Sequence, residues 1–217
     1  MKDVDVCVYF IMGSFNATYE EPLKVLEQAL RGGITCFQLR EKGPHALQGD
    51  EKLAFAKSCQ QLCQAFGVPF IVNDDVELAC QIDADGVHVG QDDLSAAEVR
   101  RQIGEEKLLG VSVHSIEEAT AALAGGADYI GMGPVYQTAS KSDAKPVAGT
   151  SRISEVAALF PELPIVGIGG ITAANLDSVI KSGADGVSII SAIAEAENPE
   201  KAARSIVEAV QYVGVNL

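Results

Sequence analysis

Short apolar runs alternate with amphipathic stretches along most of the chain. The apolar runs predict strands at residues 6–11, 36–40, 70–73, 86–89, 108–112, 129–132, 165–168 and 186–189. Helical patterns lie between them. Three carry a start signal, a hydroxyl followed three residues later by Glu: Thr18/Glu21, Ser95/Glu98 and Ser115/Glu118. A further helix is expected over 173–181. Strict alternation of strand and helix implies a parallel sheet with right-handed crossovers.

An internal repeat narrows the topology. Asp83-Ala84-Asp85-Gly86-Val87, Gly126-Ala127-Asp128-Tyr129-Ile130 and Gly183-Ala184-Asp185-Gly186-Val187 share one pattern and lead into the fourth, sixth and eighth predicted strands. Gly32-Gly33-Ile34-Thr35 leads into the second in a similar way. The same turn before every second strand predicts a closed (β/α)8 TIM barrel, which an open Rossmann-type sheet would not produce. Without a linker, low-complexity tract or composition shift, residues 1–217 read as one TIM-barrel domain.

Composition agrees. At 217 residues and 47% hydrophobic, the chain has enough apolar material for the fold, which needs roughly 200 residues. Net charge is −14, so the basic footprint of a nucleic-acid binder is missing. Any phosphate bound here must rely on local cations. No apolar run approaches the ~18 residues of a membrane span, and Met1-Lys2-Asp3-Val4-Asp5 lacks the features of a secretion signal. The expected setting is cytoplasmic. Five cysteines, none in Cys-x-x-Cys spacing, fit a reducing compartment; Cys59 and Cys63, one helical turn apart, read as small buried residues.

In this fold the chemistry gathers at the C-terminal ends of the strands. Strand two ends in Gln38-Leu39-Arg40-Glu41-Lys42, and spacing by two puts Gln38, Arg40 and Lys42 on one face. Arg and Lys suit a diphosphate, by fork geometry and point charge respectively. Strand three ends in Asn73-Asp74-Asp75, and the next loop carries Gln91-Asp92-Asp93. Carboxylates on adjacent loops suit Mg²⁺, which takes one or two of them plus phosphate oxygens; Asp75 equally suits a helix cap. Strand five ends with Ser112 and His114 on one face. Ser112 can hydrogen-bond a phosphate, a structural role for His114 is at least as good as a catalytic one, and His88 reads as a satisfied interior histidine. The stretch after strand six, with Thr138, Ser140 and Lys141, reads as a lid over 138–142. Gly169-Gly170 after strand seven and Ile190-Ser191 after strand eight mark the usual phosphate position of the fold. No general base stands out.

These motifs resemble the thiamine phosphate synthase family from Tyr9-Phe10-Ile11-Met12 to Ser191-Ala192-Ile193. The most specific are Gln38-Leu39-Arg40-Glu41-Lys42, Asn73-Asp74-Asp75, Gly86-Val87-His88-Val89-Gly90-Gln91-Asp92-Asp93, Gly133-Pro134-Val135-Tyr136 and Gly167-Ile168-Gly169-Gly170-Ile171-Thr172. The resemblance implies a Mg²⁺-dependent transferase that joins 4-amino-2-methyl-5-hydroxymethylpyrimidine diphosphate to 4-methyl-5-hydroxyethylthiazole phosphate and releases pyrophosphate by a dissociative route. It implies that Asp74 and Asp93 bind Mg²⁺, and that Arg40, Lys42, Asn73, Ser112 and Lys141 surround the diphosphate. Arg40, Lys42, Ser112 and Lys141 are then the catalytic set. Gln38 reads the pyrimidine. Thr138 and the backbone of Gly170, Ile190 and Ser191 hold the thiazole phosphate, with Ser140 among the substrate-binding hydroxyls. Two positions depart from the family pattern: Gln137 replaces the usual Pro and Ser140 the usual Thr, which bears on the loop more than on the reaction. The partners implied are phosphorylated small molecules, with no nucleic acid or membrane; a homo-oligomer stays possible. The rivals are a thiazole tautomerase of the same fold, which needs no diphosphate machinery, and a non-catalytic ligand-sensing barrel.

Overall fold

A computed structural model describes residues 5–138 and 146–214. Eight strands, β1 (Val8–Met12), β2 (Cys36–Leu39), β3 (Phe70–Asn73), β4 (Gly86–Val89), β5 (Leu108–Val113), β6 (Tyr129–Met132), β7 (Ile165–Ile168) and β8 (Gly186–Ile189), close a barrel in sequence order. Every neighbouring pair is parallel, and β8 returns to β1 through Val8 opposite Val187. The helices between them are α1 (Pro22–Arg31), α2 (Gly49–Phe66), α3 (Val76–Gln81), α4 (Ala96–Ile103), α5 (Ile116–Ala124), α6 (Ser151–Leu159) and α7 (Leu176–Lys181). Two more, α8 (Ser191–Ala194) and α9 (Pro199–Val213), follow β8. All eight expected strands form. β1 begins two residues later than predicted, where its pairing with β8 begins.

The repeat has a physical reason. In each copy one residue turns the chain at positive φ: Gly33 (+94°), Asp83 (+54°), Gly126 (+87°) and Gly183 (+101°). Two residues on, a side-chain oxygen reaches back across the N-terminal rim to an amide of the preceding odd strand. Thr35 accepts from Val8 N–H at 3.0 Å, Asp85 from Phe70, Asp128 from Leu109 and Asp185 from Ile165, each of these three at 2.8 Å. The same four residues donate their own N–H to the carbonyl of that partner, at 2.8–3.1 Å. Each even strand is thus clipped to its odd neighbour by two bonds. At β5–β6 the clip is extended by Arg100, whose Nη2 lies 2.6 Å from Asp128 Oδ2, with both residues buried.

Side chains alternate across the barrel wall. Phe10, Phe37, Phe70, Val87, Leu109, Ile130, Ile165 and Val187 pack outward against the helices. A smaller apolar group of Val6, Tyr9, Cys36, Ile71, Tyr129 and Val166 lies inside. Period-two alternation then points Gln38, His88, Ser112 and Ser188 inward as well. Cys59 and Cys63 are buried in α2, as expected of small core residues, and none of the five cysteines forms a disulfide.

Helix starts are less faithful to the sequence signals. Ser95 and Glu98 form the full capping box, but α1 starts at Pro22 with Glu21 at the cap, so Thr18 plays no part in it. Proline at the first helical position removes an amide that needs no partner, and this replaces the side-chain cap. Ser115 accepts from Glu118 N–H, while the Glu118 carboxylate takes the N–H of His114 instead of that of Ser115. The helix expected from 173 begins at Leu176. Asn175 first makes a turn, its Oδ1 accepting from Thr172 N–H at 2.8 Å and its Nδ2 donating to Gly170 O at 3.0 Å.

Candidate active site

The C-terminal ends of the strands surround a cavity lined by Arg40, Lys42, Asn73, Asp74, Asp93, Ser112, His114 and Thr138, with glycines of β6 and of the β7 loop at its back. A smaller cavity shares Thr138, Ile168 and Gly169 with it and continues to Gly170, Ser188, Ile190 and Ser191. Most predicted site residues therefore meet on one rim. Ser140 and Lys141, with most of the predicted lid, lie outside the described residues.

The acidic half is built by the β3 and β4 loops. Asp74 sits at φ +61°, a conformation few residues other than Gly, Asn and Asp adopt, and its N–H donates to His88 O at 2.9 Å. Lys42 Nζ donates to Asp74 Oδ2 at 2.7 Å. Burial pushes the Asp74 carboxyl above the ordinary carboxylate range; Lys42 opposes this, and the adjoining Asp93 carboxyl reinforces it. Asp93 is oriented by Gly90, whose N–H donates to Oδ2 at 2.9 Å. Two carboxyls are thus held together beside a lysine at some electrostatic cost, an arrangement a divalent cation would relieve. No group of three or more His, Cys, Asp or Glu suited to a metal occurs among the described residues. Mg²⁺ held mainly by substrate phosphate and water needs only one or two carboxylates, so the pair fits.

Neighbouring Asp75 does something else. Its Oδ1 caps α3 through Leu78 N–H at 2.9 Å, and Lys52 Nζ lies 2.6 Å from its Oδ2. Burial raises its carboxyl, but Lys52 and the Leu78 amide outweigh burial and hold it below the usual range.

Gln38 does not stand beside Arg40 and Lys42 on the rim. It lies one layer lower, 1% exposed, with Nε2 donating to Tyr9 Oη at 2.9 Å and Oε1 buried without a partner among the described residues. Ser188 Oγ, on the wall of the smaller cavity, is likewise buried and has no partner among the described residues. His88 is the interior histidine the sequence suggested, between Tyr129 Oη at 3.2 Å and Ser112 Oγ at 2.9 Å. His114 lines the cavity, but its backbone N–H and its Nδ1 both face Glu118, which favours a structural role.

The β7 loop makes the cradle. Gly169 and Gly170 take φ +103° and +64°. A side chain at Gly170 would come within 2.5 Å of Gln137 O and 2.9 Å of Tyr136 Cβ. This backbone must therefore stay bare to pass beneath the β6 loop.

Sequence reasoning missed Tyr9, Tyr129, Ser188 and Glu41. The two tyrosines, embedded in otherwise apolar strands, were the available signal. Glu41 ties the rim together by accepting from Ser14 N–H and, at 2.7 Å, from Leu47 N–H.

The family model described as thiamine monophosphate synthase matches residues 8–193. A thiamine-phosphate synthase of Geobacillus kaustophilus is 58% identical over 207 residues, 95% of this chain and 92% of that protein. One from Bacillus licheniformis is 56% identical over 211 residues, 97% of this chain and 93% of that protein. Among solved structures, the thiamine phosphate pyrophosphorylase of Pyrococcus furiosus superposes with a TM-score of 0.86 at 32% identity, covering 97% of this chain and 98% of that one. The chain belongs to the thiamine monophosphate synthase family and is a transferase of that kind.

Proposed function

We propose that the larger cavity takes the diphosphate of 4-amino-2-methyl-5-hydroxymethylpyrimidine diphosphate and that the smaller one takes the phosphate of 4-methyl-5-hydroxyethylthiazole phosphate. The observation that carries this reading is the Lys42–Asp74–Asp93 cluster, which places a cation and paired carboxyls beside a glycine cradle.

Asp74 and Asp93 would hold Mg²⁺, which when bound neutralises diphosphate charge. The protein's own groups do the rest. Arg40, Lys42 and Lys141 offer charged donors to the oxygens on which charge grows as the carbon–oxygen bond breaks, and Asn73 and Ser112 add neutral ones. The bonding pair leaves with pyrophosphate. The pyrimidine methylene cation is then captured by the thiazole nitrogen lone pair, forming the carbon–nitrogen bond. No proton has to be removed to make that nucleophile, which accounts for a site without an obvious general base. Catalysis reduces to positioning and to stabilising the leaving group. Gln38 Oε1, buried without a partner among the described residues, suits the exocyclic amine of the pyrimidine. Thr138 and Ser140 hydroxyls, with the backbone of Gly170, Ile190 and Ser191, hold the second phosphate.

Release of pyrophosphate and formation of thiamine phosphate from the two substrates, measured with Mg²⁺ and again in excess chelator, test the reading. Activity should require the metal. Full activity in chelator removes the metal assignment, and no coupling under either condition removes the substrate pair. A thiazole tautomerase would act without either requirement. We place this chemistry in the cytoplasm, the setting expected from the sequence; no helix among the described residues is long and apolar enough to cross a membrane.

A further inference from the structure

Beneath the cavity, five polar side chains from five strands touch in series. Gln38 Nε2 donates to Tyr9 Oη at 2.9 Å, and the Tyr9 and Tyr129 hydroxyls lie 2.7 Å apart. Tyr129 Oη is 3.2 Å from His88 Nδ1, and His88 Nε2 is 2.9 Å from Ser112 Oγ. The first four are at most 5% exposed, whereas Ser112 faces the cavity. The rings have room because two neighbours lack side chains. A Cβ at Gly110 would collide with the Tyr129 hydroxyl and His88 Nδ1, and one at Gly131 would lie 3.2 Å from His88 Cε1.

Such a series has a direction. A hydroxyl carries one proton, and a neutral imidazole carries one on either of two nitrogens. Burial holds both phenols far above their ordinary range, so each keeps its proton. The Gln38 amide nitrogen is a donor only. The polarity that uses every proton along the series has Tyr9 donate to Tyr129, and Tyr129 donate to His88 Nδ1. An imidazole that accepts at Nδ1 carries its hydrogen on Nε2. That N–H donates to Ser112 Oγ, and the Ser112 proton is left to point into the cavity. In the opposite polarity His88 would accept from Ser112, and the serine would meet an anion with lone pairs.

We propose that His88 is a positioning residue: fixed as its Nε2–H tautomer by the series Gln38–Tyr9–Tyr129, it turns the Ser112 hydroxyl outward as a donor to the leaving diphosphate. This rests on the reading of the larger cavity as the diphosphate site, but the tautomer can be measured without it.

The first measurement is nitrogen-15 NMR of the histidine rings in the intact protein, with His88 assigned through His88→Gln. The expected result is a neutral His88 with its hydrogen on Nε2, and loss of that single tautomer in Tyr129→Phe, which removes one oxygen from the series and keeps the ring. A hydrogen on Nδ1 in the unaltered protein overturns the proposal, as does an unchanged tautomer in Tyr129→Phe. The second measurement is the affinity for inorganic pyrophosphate with Mg²⁺ in the unaltered protein, Tyr129→Phe, Ser112→Ala and the double variant. Losing one donor to a charged group should weaken binding about tenfold in each single variant. The double variant should be no weaker than Ser112→Ala, because Tyr129 acts through that hydroxyl. Additive losses overturn the proposal. Absence of pyrophosphate binding in the unaltered protein would sink the diphosphate reading, and with it the outward role of Ser112, even where NMR finds the expected tautomer.

Discussion

Replacing Asp74 by Asn separates the chemistry of this site from its folding. Asn is the suitable variant because Asp74 stands at φ +61°. Asn tolerates that conformation, whereas Ala would add a backbone penalty of roughly 1–2 kcal/mol and blur the result. The variant loses the ion pair with Lys42, but that lysine side chain is 44% exposed, so the pair contributes at most about 1 kcal/mol. It also relieves the burial of a charge next to Asp93. These opposed effects should leave stability at pH 7 within about 1 kcal/mol of the parent protein. The pH dependence has a definite sign. The Asp74 carboxyl is raised above its ordinary 3.8, so its stabilising contribution is present in acid and is lost as pH rises through the folded value. Thermal melts in chelator should therefore show Asp74→Asn gaining on the parent protein between mildly acidic and neutral pH. Activity should move the other way. Losing a group that neutralises developing charge costs roughly 2.7–4 kcal/mol, a rate loss of about a hundred- to a thousandfold in the coupling assay with Mg²⁺. A variant that folds normally and couples within about threefold of the parent rate, well short of that loss, would refute the assignment of Asp74 to the metal.

Three further predictions follow from the scaffold. Asp128→Ala leaves Arg100 buried without its carboxylate and the Leu109 amide without its acceptor, so urea unfolding should show a loss of about 3–5 kcal/mol; a loss below about 1 kcal/mol, less than even an ordinary hydrogen bond can account for, contradicts the role of the clip. Asp83→Gly places glycine where the other three copies of the turn carry it, each at positive φ, and should raise the melting temperature by about 1–2 °C, since the ion pair lost with Lys107 is exposed; a lower melting temperature would show that the pair matters more than the backbone. Gly170→Val forces a branched side chain against Gln137 O at φ +64°, so KM for the thiazole phosphate should rise roughly ten- to a hundredfold, and unchanged kinetics would remove the cradle from the site.

Local chemistry in the sequence determined the strands, the repeated turns and the rim on which most of the site stands. An apolar run marks a strand wherever it occurs, and a turn at positive φ favours Gly or Asp whatever surrounds it. The polar strand ends at Arg40, Asn73 and Ser112 had to face the barrel mouth once the barrel closed. What each polar group touches was decided only by closure. Asp74 and Asp75 are adjacent and chemically identical, yet one caps α3 and the other meets Lys42, because a left-handed backbone at Asp74 turns it to the cavity. Gln38, placed by its spacing beside Arg40, lies a layer deeper, where it meets a tyrosine 29 residues away. That tyrosine meets another 120 residues further along, which the linear pattern offered no means to pair. Periodicity is a property of neighbours along the chain and survives in the sequence. Hydrogen-bond partnership inside a barrel depends on which strand lies opposite, and that is settled only when β8 closes on β1.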